Sequence, residues 1–318
     1  MWFKNLQIYR LPAPWNITLE GLDEQLARKR FMPCGSQDPE SRGWVSPLND
    51  ERLVHAVGGQ WLIALGVEQR LLPPSVVRQV ADERAEEIAA QQGYKPGRKQ
   101  MKELREAVQQ ELMPRAFTRK RKMYAWIDPE GGWLGIDAPS QTRAEDLLEV
   151  LRQTLDSLPL ALLRTERSPV SAMAGWLAGG EAPGNFTIDQ DAELRSVADE
   201  KAAVRYVRHA LDGEDVRAHL AAGKLPTRLA LTFDDRVSFV LTEKTEIKRL
   251  DFLDVVKEQI DDKETDAQAL FDAGFALMSG ELRQLLPALV EVLDGELKAP
   301  EASTDGAGSA AAAGDPPF

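Results

Sequence analysis

The dipeptide Gly58-Gly59, set between "RLVHAV" and "QWLIALGV", constrains this chain more than any other short stretch. Two adjacent glycines reach the positive φ values that a two-residue turn demands, and the flanking runs are rich in branched and aromatic side chains. Together they predict a tight β-hairpin. "GWVSPL" reads as a strand just before it. Upstream, "WFKNLQIYRL" alternates as a strand, and "ITLEGLDEQLARKRF" places Leu19, Leu22 and Leu26 at helical spacing. After Pro73 and Pro74, "SVVRQVADERAEEIAAQQG" predicts a helix with Val76, Val77, Val80 and Ile88 on one side, stopped by Gly93. The order over this half is β-α-β-β-β-α.

The same order recurs further on. "AAVRYVRHAL" reads as a strand and "GEDVRAHLAAG" as a helix closed by Gly223; "TRLALTFD", "RVSFVLT" and "EIKRLDF" follow as strands, and "LDVVKEQI" restarts a helix. The expected fold class is therefore α+β, with two similar β-α-β-β-β-α halves. Between them, "GRKQMKELREAVQQEL" carries Met101, Leu104, Val108 and Leu112 as a narrow apolar seam on a charged helix, which suits a two-helix arm. Its span from Arg98 to Leu112 would extend about 22 Å. Pro114 ends that helix, so Arg115 to Lys122 are expected in a connection before "MYAWID" returns as strand and pairs through "PEGG" with "WLGIDA". The next helix, "TRAEDLLEVLRQTLDSL", turns Ala144, Leu147, Leu148, Leu151 and Leu155 inward. The chain then divides into an N-terminal α/β half (1–72), a projecting helical arm with a basic tip (73–122), a hairpin and helix returning to the body (123–170), a C-terminal α/β half (171–297) and a tail (298–318). The tail is rich in small residues and proline, a composition that predicts flexibility.

Charge is distributed unevenly. The chain carries a net charge of −12, yet ten Lys and Arg face three Glu between Lys95 and Lys122, while residues 251–318 hold fifteen Asp and Glu against four Lys and Arg. A Debye length of about 8 Å lets the basic segment act apart from a distant acidic surface. Its densest part, "RAFTRKRK", sets Arg115, Arg119, Lys120, Arg121 and Lys122 around Phe117. Such a cluster is either a solvated loop or a binder of nucleic-acid phosphates, which it holds by displacing condensed counterions. No zinc-finger spacing, RNP signature or helix-turn-helix accompanies it, so any DNA binding is expected to be independent of sequence. Phe117 has two readings, packing beneath the loop or anchoring a second subunit from an exposed position.

Other candidates are weaker. In "RYVRHAL" a strand would turn Arg205 and Val207 to one face and Tyr206 and Arg208 to the other, and His209 reads as a surface or hydrogen-bonded histidine. The lone Cys34 reads as a small packed residue; no metal site and no cofactor are expected. Asp235, Glu246 and Lys248 have the spacing of a Mg²⁺-dependent nuclease, although aspartates are ordinary in turns and alternating Glu and Lys are ordinary on exposed strands. A protein-binding scaffold is a further alternative. The start "MWFKNLQIYRL" lacks a signal-peptide pattern, and the longest apolar run, "WLIALGV", is far short of a membrane span, so a cytoplasmic location is expected.

Longer words then align with a known family. "WFKNLQIYRL", "PCGSQD" with "GWV", "LMPRAFTR", "WID", "RAEDLLEVLRQTLDSLPL", "LALTFDDRVSFVL", "IKRLDF" and "FDAGFALMSGEL" run in order from residue 2 to about 297, and together the chain resembles the bacterial recombination-associated RdgC family. That resemblance implies a DNA-binding protein without enzymatic activity, nucleoid-associated, whose horseshoe-shaped subunits meet at both ends in a ring homodimer around duplex DNA and restrain RecA-promoted recombination. Single-stranded DNA is expected as a further ligand. By similarity Arg115, Arg119, Lys120 and Arg121 would neutralise phosphates, Phe117 would join two arms, and Arg208 would face DNA. The sequence departs from the expected tandem basic pair at Val207, beside Arg208.

Overall fold

Period-two segments and their turns build two antiparallel sheets, and a long C-terminal helix shares one core with both. The computed structural model describes residues 1–11, 15–48, 50–198, 202–260, 264 and 266–297; the predicted tail lies outside them. The first sheet contains β1 (Gln7–Arg10), β2 (Glu40–Val45), β3 (Val54–Val57), β4 (Gln60–Arg70), β5 (Thr118–Asp128), β6 (Trp133–Ile136) and β7 (Ala161–Leu162). Its order is β2-β4-β5-β6-β1-β7, with β3 also paired to β4. The β3–β4 hairpin turns at Gly58 and Gly59 with φ of 57° and 77°, as a two-residue turn requires.

Helix α1 (Leu19–Ala27) starts where Thr18 Oγ1 accepts the Gly21 N–H, and it buries Leu22 and Leu26 against this sheet. Helices α2 (Pro74–Gln92) and α3 (Arg98–Leu112) form the arm between β4 and β5. Val77 and Ala81 meet Val108 in a small seam of their own, flanked by Leu72, Val80, Leu104 and Leu112; Val76, expected on that seam, is exposed. Gly93, at φ 80°, ends α2. Helix α4 (Gln141–Thr154) joins α1 on the sheet and buries Ala144, Leu147, Leu148 and Leu151, as its spacing predicts.

Helix α5 (Pro169–Gly179) leads into the second sheet, made of β8 (Phe186–Ser196), β9 (Ala203–Tyr206), β10 (Lys224–Phe233), β11 (Val237–Thr242) and β12 (Ile247–Phe252) in the order β12-β11-β10-β8-β9. Helix α6 (Glu214–Ala221) follows β9. The expected C-terminal helix "LDVVKEQI" is a single turn, α7 (Asp254–Lys257), and the main one is α8 (Ala267–Val292). Phe275, Met278, Leu282, Leu285 and Leu289 of α8 recur every three or four residues and share a core with α5, the second sheet, and Leu62 and Trp126 of the first.

The α+β class agrees with the sequence, whereas strand pairing differs between the halves. β1 lies between β6 and β7, while β9 sits at a sheet edge beside β8, a strand outside the predicted repeat. The N-terminus ties the sheets together. Leu6 and Ile247 exchange backbone hydrogen bonds of 2.8 and 3.0 Å, the Leu250 N–H donates to the Lys4 carbonyl, and the Phe3 N–H donates to Met278 Sδ.

Candidate nucleic-acid interface

The basic cluster lies mostly within a strand. β5 begins at Thr118, paired with Arg70, and continues with Arg119 opposite Gln69, Lys120 opposite Glu68, Arg121 opposite Val67 and Lys122 opposite Gly66. The expected connection is confined to a short 3₁₀ turn, Met113–Arg115, and the two residues after it. The cluster also sits at the root of the arm, where the expectation had it at the tip. α2 and α3 run out and back, and the Leu71 N–H donates to the Phe117 carbonyl at 2.7 Å, closing the insertion at its base. Arg70 braces this closure through Nη1 to the Pro114 and Ala116 carbonyls and through Nη2 to the Gly35 carbonyl.

Strand alternation divides the cations between two faces. Arg119 and Arg121 share a face with Met123, Ala125 and Ile127, which pack with α1 and α4; Lys120 and Lys122 share the other with Trp126. Lys120 Nζ stands 3.7 Å from the buried Glu68 carboxylate, which also accepts the Cys34 N–H. That N–H, then a hydrogen bond from Thr118 and the charge of Lys120, hold the Glu68 carboxyl below its usual range against the opposing effect of burial. Lys122 donates to the Ser46 carbonyl at 2.8 Å, and burial pushes its ammonium down. Arg121 is half-buried, with Nε and Nη2 lacking acceptors among the described residues; burial, then the neighbouring Arg143, lower its pKa. Arg115 and Arg119 are exposed and have no ion-pair partner among the described residues. Phe117 between them is 85% exposed, the highest value among the large apolar side chains described. The packed-beneath reading of Phe117 is thereby excluded.

A second basic surface, of which the sequence pointed only to Arg205 and the adjoining Arg208, occupies the open face of the second sheet. Arg195 and Arg205 grip Glu193 at 2.8 and 2.6 Å, and the two guanidiniums outweigh the effect of burial to keep Glu193 below the usual carboxylate range. Arg249 pairs with Asp191 at 3.0 Å, while Arg228 has no charged partner among the described residues and lines a cleft of about 220 Å³ with Arg205, Lys248 and Arg249. Arg208 falls beyond β9, at φ 51°, where its N–H donates to Asp191; the expected strand alternation therefore stops at Tyr206. These cations are scattered over four strands, so no local run of sequence announces them.

Similarity over the whole length decides the family. Residues 1–296 match the family model described as "Putative exonuclease, RdgC". A relative from Dechloromonas aromatica named "Recombination-associated protein RdgC" is 61% identical over 300 residues, covering 93% of this chain and 99% of the relative. Proteins of the same name from Cupriavidus necator and Herminiimonas arsenicoxydans are 53% and 52% identical, with 94% and 93% of this chain and 100% and 99% of the relatives covered. The chain belongs to the RdgC family.

The family description makes the nuclease triplet a pointed question for this RdgC chain. Asp235 lies in the turn between β10 and β11, and Glu246 precedes β12 at the opposite end of β11. Six strand residues separate the two ends, roughly 20 Å at the usual rise. Lys248 pairs with Glu246 at 3.0 Å and donates to the Pro139 carbonyl. One metal ion cannot bridge Asp235 and Glu246, so the expected triplet is not a single site. Among the described residues no group of three His, Cys, Asp or Glu suits a metal ion, and no helix is long and apolar enough to cross a membrane. Cys34 is half-buried, and its thiol is pushed up by burial and by Glu68.

Proposed function

We propose that this RdgC-family protein binds DNA through its phosphates, without reading sequence and without cleaving it. Two horseshoe-shaped copies close as a ring homodimer around the duplex and so restrain RecA-mediated recombination, in the cytoplasm at the nucleoid. The observation that carries the reading is Phe117, 85% exposed at the arm root between Arg115 and Arg119, which have no ion-pair partner among the described residues. An exposed aromatic ring gains by burial against another subunit, and unpaired guanidiniums gain by meeting phosphates. The open face of the second sheet, with Arg205, Arg228 and Arg249, and Arg208 just beyond β9 supply further positive charge. Surplus negative charge elsewhere on a chain of net −12 disfavours adhesion to DNA on other surfaces. The relatives' name links them to recombination, and a ring threaded on duplex would occupy the backbone that a recombinase filament needs.

The test is a mobility-shift series on linear and covalently closed circular duplex, with and without Mg²⁺. Encirclement predicts complexes on closed circles that outlast those on linear DNA when salt is raised, and DNA that stays intact with Mg²⁺. Absence of a salt-dependent shift would refute binding through phosphates, equal survival on both forms would refute the ring, and Mg²⁺-dependent degradation would refute binding without cleavage.

A further inference from the structure

The arm root also holds a cleft of about 570 Å³ where the arm meets the edge of the first sheet. Its floor is aliphatic, from Leu72, Val77 and Met113, and Arg70, Arg78 and Arg105 stand around it. Helical spacing explains the convergence. Pro74, Val77 and Arg78 lie on one side of α2, and Arg105, Gln109 and Met113 follow at steps of four along α3 and the turn after it. Arg84, Lys99 and Lys102 each pair with a glutamate of the arm. Arg78 and Arg105 pair with nothing among the described residues. Glu40, the carboxylate in the lining, is engaged by Arg42.

We propose that this cleft receives one nucleotide unit of single-stranded DNA, its phosphate held by Arg78 and Arg105 and its sugar and base lying on Leu72, Val77 and Met113. The inference rests on the DNA-binding reading above and adds a strand preference to it. A volume of about 570 Å³ falls within the roughly 300–1,000 Å³ of small-molecule sites. In a duplex the base faces are covered by stacking and only base edges and the backbone reach a protein; a single strand can turn a base out and lay its face on a protein surface. The cleft adjoins the basic turn, because Arg70 in its wall bonds the carbonyls on either side of Arg115. A strand following Arg115 and Arg119 therefore passes its mouth. An acidic peptide with an apolar side chain offers similar chemistry but lacks that continuity.

The experiment measures full-length protein binding to a labelled oligo-dT strand and to a duplex of equal length by fluorescence anisotropy. Arg78→Ala with Arg105→Ala is expected to weaken single-strand binding by at least about tenfold, the loss of charge-assisted hydrogen bonds, and duplex binding by no more than about threefold. Gln109→Trp, which fills the cleft and leaves its charges in place, is expected to weaken single-strand binding with an unaltered salt slope; it keeps the test alive if the double variant perturbs the arm in thermal melts. Equal losses on both DNAs, or no loss on the single strand, overturn the inference while wild-type binding leaves the DNA-binding reading standing. Wild-type protein that binds neither DNA refutes that reading itself. A labelled acidic peptide that needs Arg78 and Arg105 where oligo-dT does not would assign the cleft to protein and overturn the proposal.

Discussion

Replacing Arg115 and Arg119 together with alanine tests the interface most directly. Counting residues alone assigns five phosphate contacts to the stretch from Arg115 to Lys122; at about 0.9 per contact on duplex DNA, their loss would flatten the dependence of log K on log salt by about 4.5. The structure lowers that figure. Lys120 is offset by Glu68, Lys122 is turned onto backbone carbonyls at Ser46 and Pro47, and Arg121 is half-buried. Two cations remain free to meet phosphate, so the double variant should flatten the slope by about 1.8. The assay is anisotropy of a labelled duplex titrated across roughly 50 to 200 mM salt. An unchanged slope in the double variant, or an equal flattening by Lys122→Ala, would refute the assignment of free and occupied charges.

Phe117→Ala removes a side chain with little folded-state contact, so stability in urea should change by no more than about 0.5 kcal/mol, while chemical crosslinking between subunits should fall; undiminished crosslinking would count against Phe117 as an arm contact. Tyr9 is buried, and burial, then the charge of Glu145, raises its phenol to about 12. Between pH 10 and that value the unfolded chain releases a proton that the folded chain keeps, so stability falls as pH rises. The loss approaches about 1.4 kcal/mol per pH unit. Tyr9→Phe should lose this component, and identical pH profiles for the two proteins in urea unfolding above pH 10 would show the reasoning to be mistaken.

Elements with one buried face were legible in the sequence. The Gly58-Gly59 hairpin, α1 and α4 declare themselves because their apolar residues recur at the period of the backbone, and Leu22, Leu26, Leu147 and Leu151 are buried as their spacing requires. β5 was misread at its start because Thr118 to Lys122 alternate cation with cation, and polar side chains on both faces erase the period-two signal. β8 escaped for a related reason. In "FTIDQDAELRS" a register shift against β10 interrupts the alternation, and its open face is charged. The exposed Arg115 and Phe117 were visible as residue types, whereas the pairing of Lys120 with Glu68 depends on the β4–β5 register. Arg228, Arg205 and Arg249 come from three strands, and the cleft at Arg78 and Arg105 needs two helices packed side by side. Tertiary placement of this kind leaves no trace in a local window.

The backbone exchange between Leu6 and Ile247, with Phe3 donating to Met278, sets an order of events for a chain made from its N-terminus onward. Those residues leave the ribosome well before the surfaces that cover them, which are translated more than two hundred residues later. Until then Phe3 and Leu6 remain uncapped in water, and the nascent first sheet carries an unfinished border. This early-made stretch is thus among the last to settle, so premature termination anywhere before α8 should yield a sticky fragment that proteases remove.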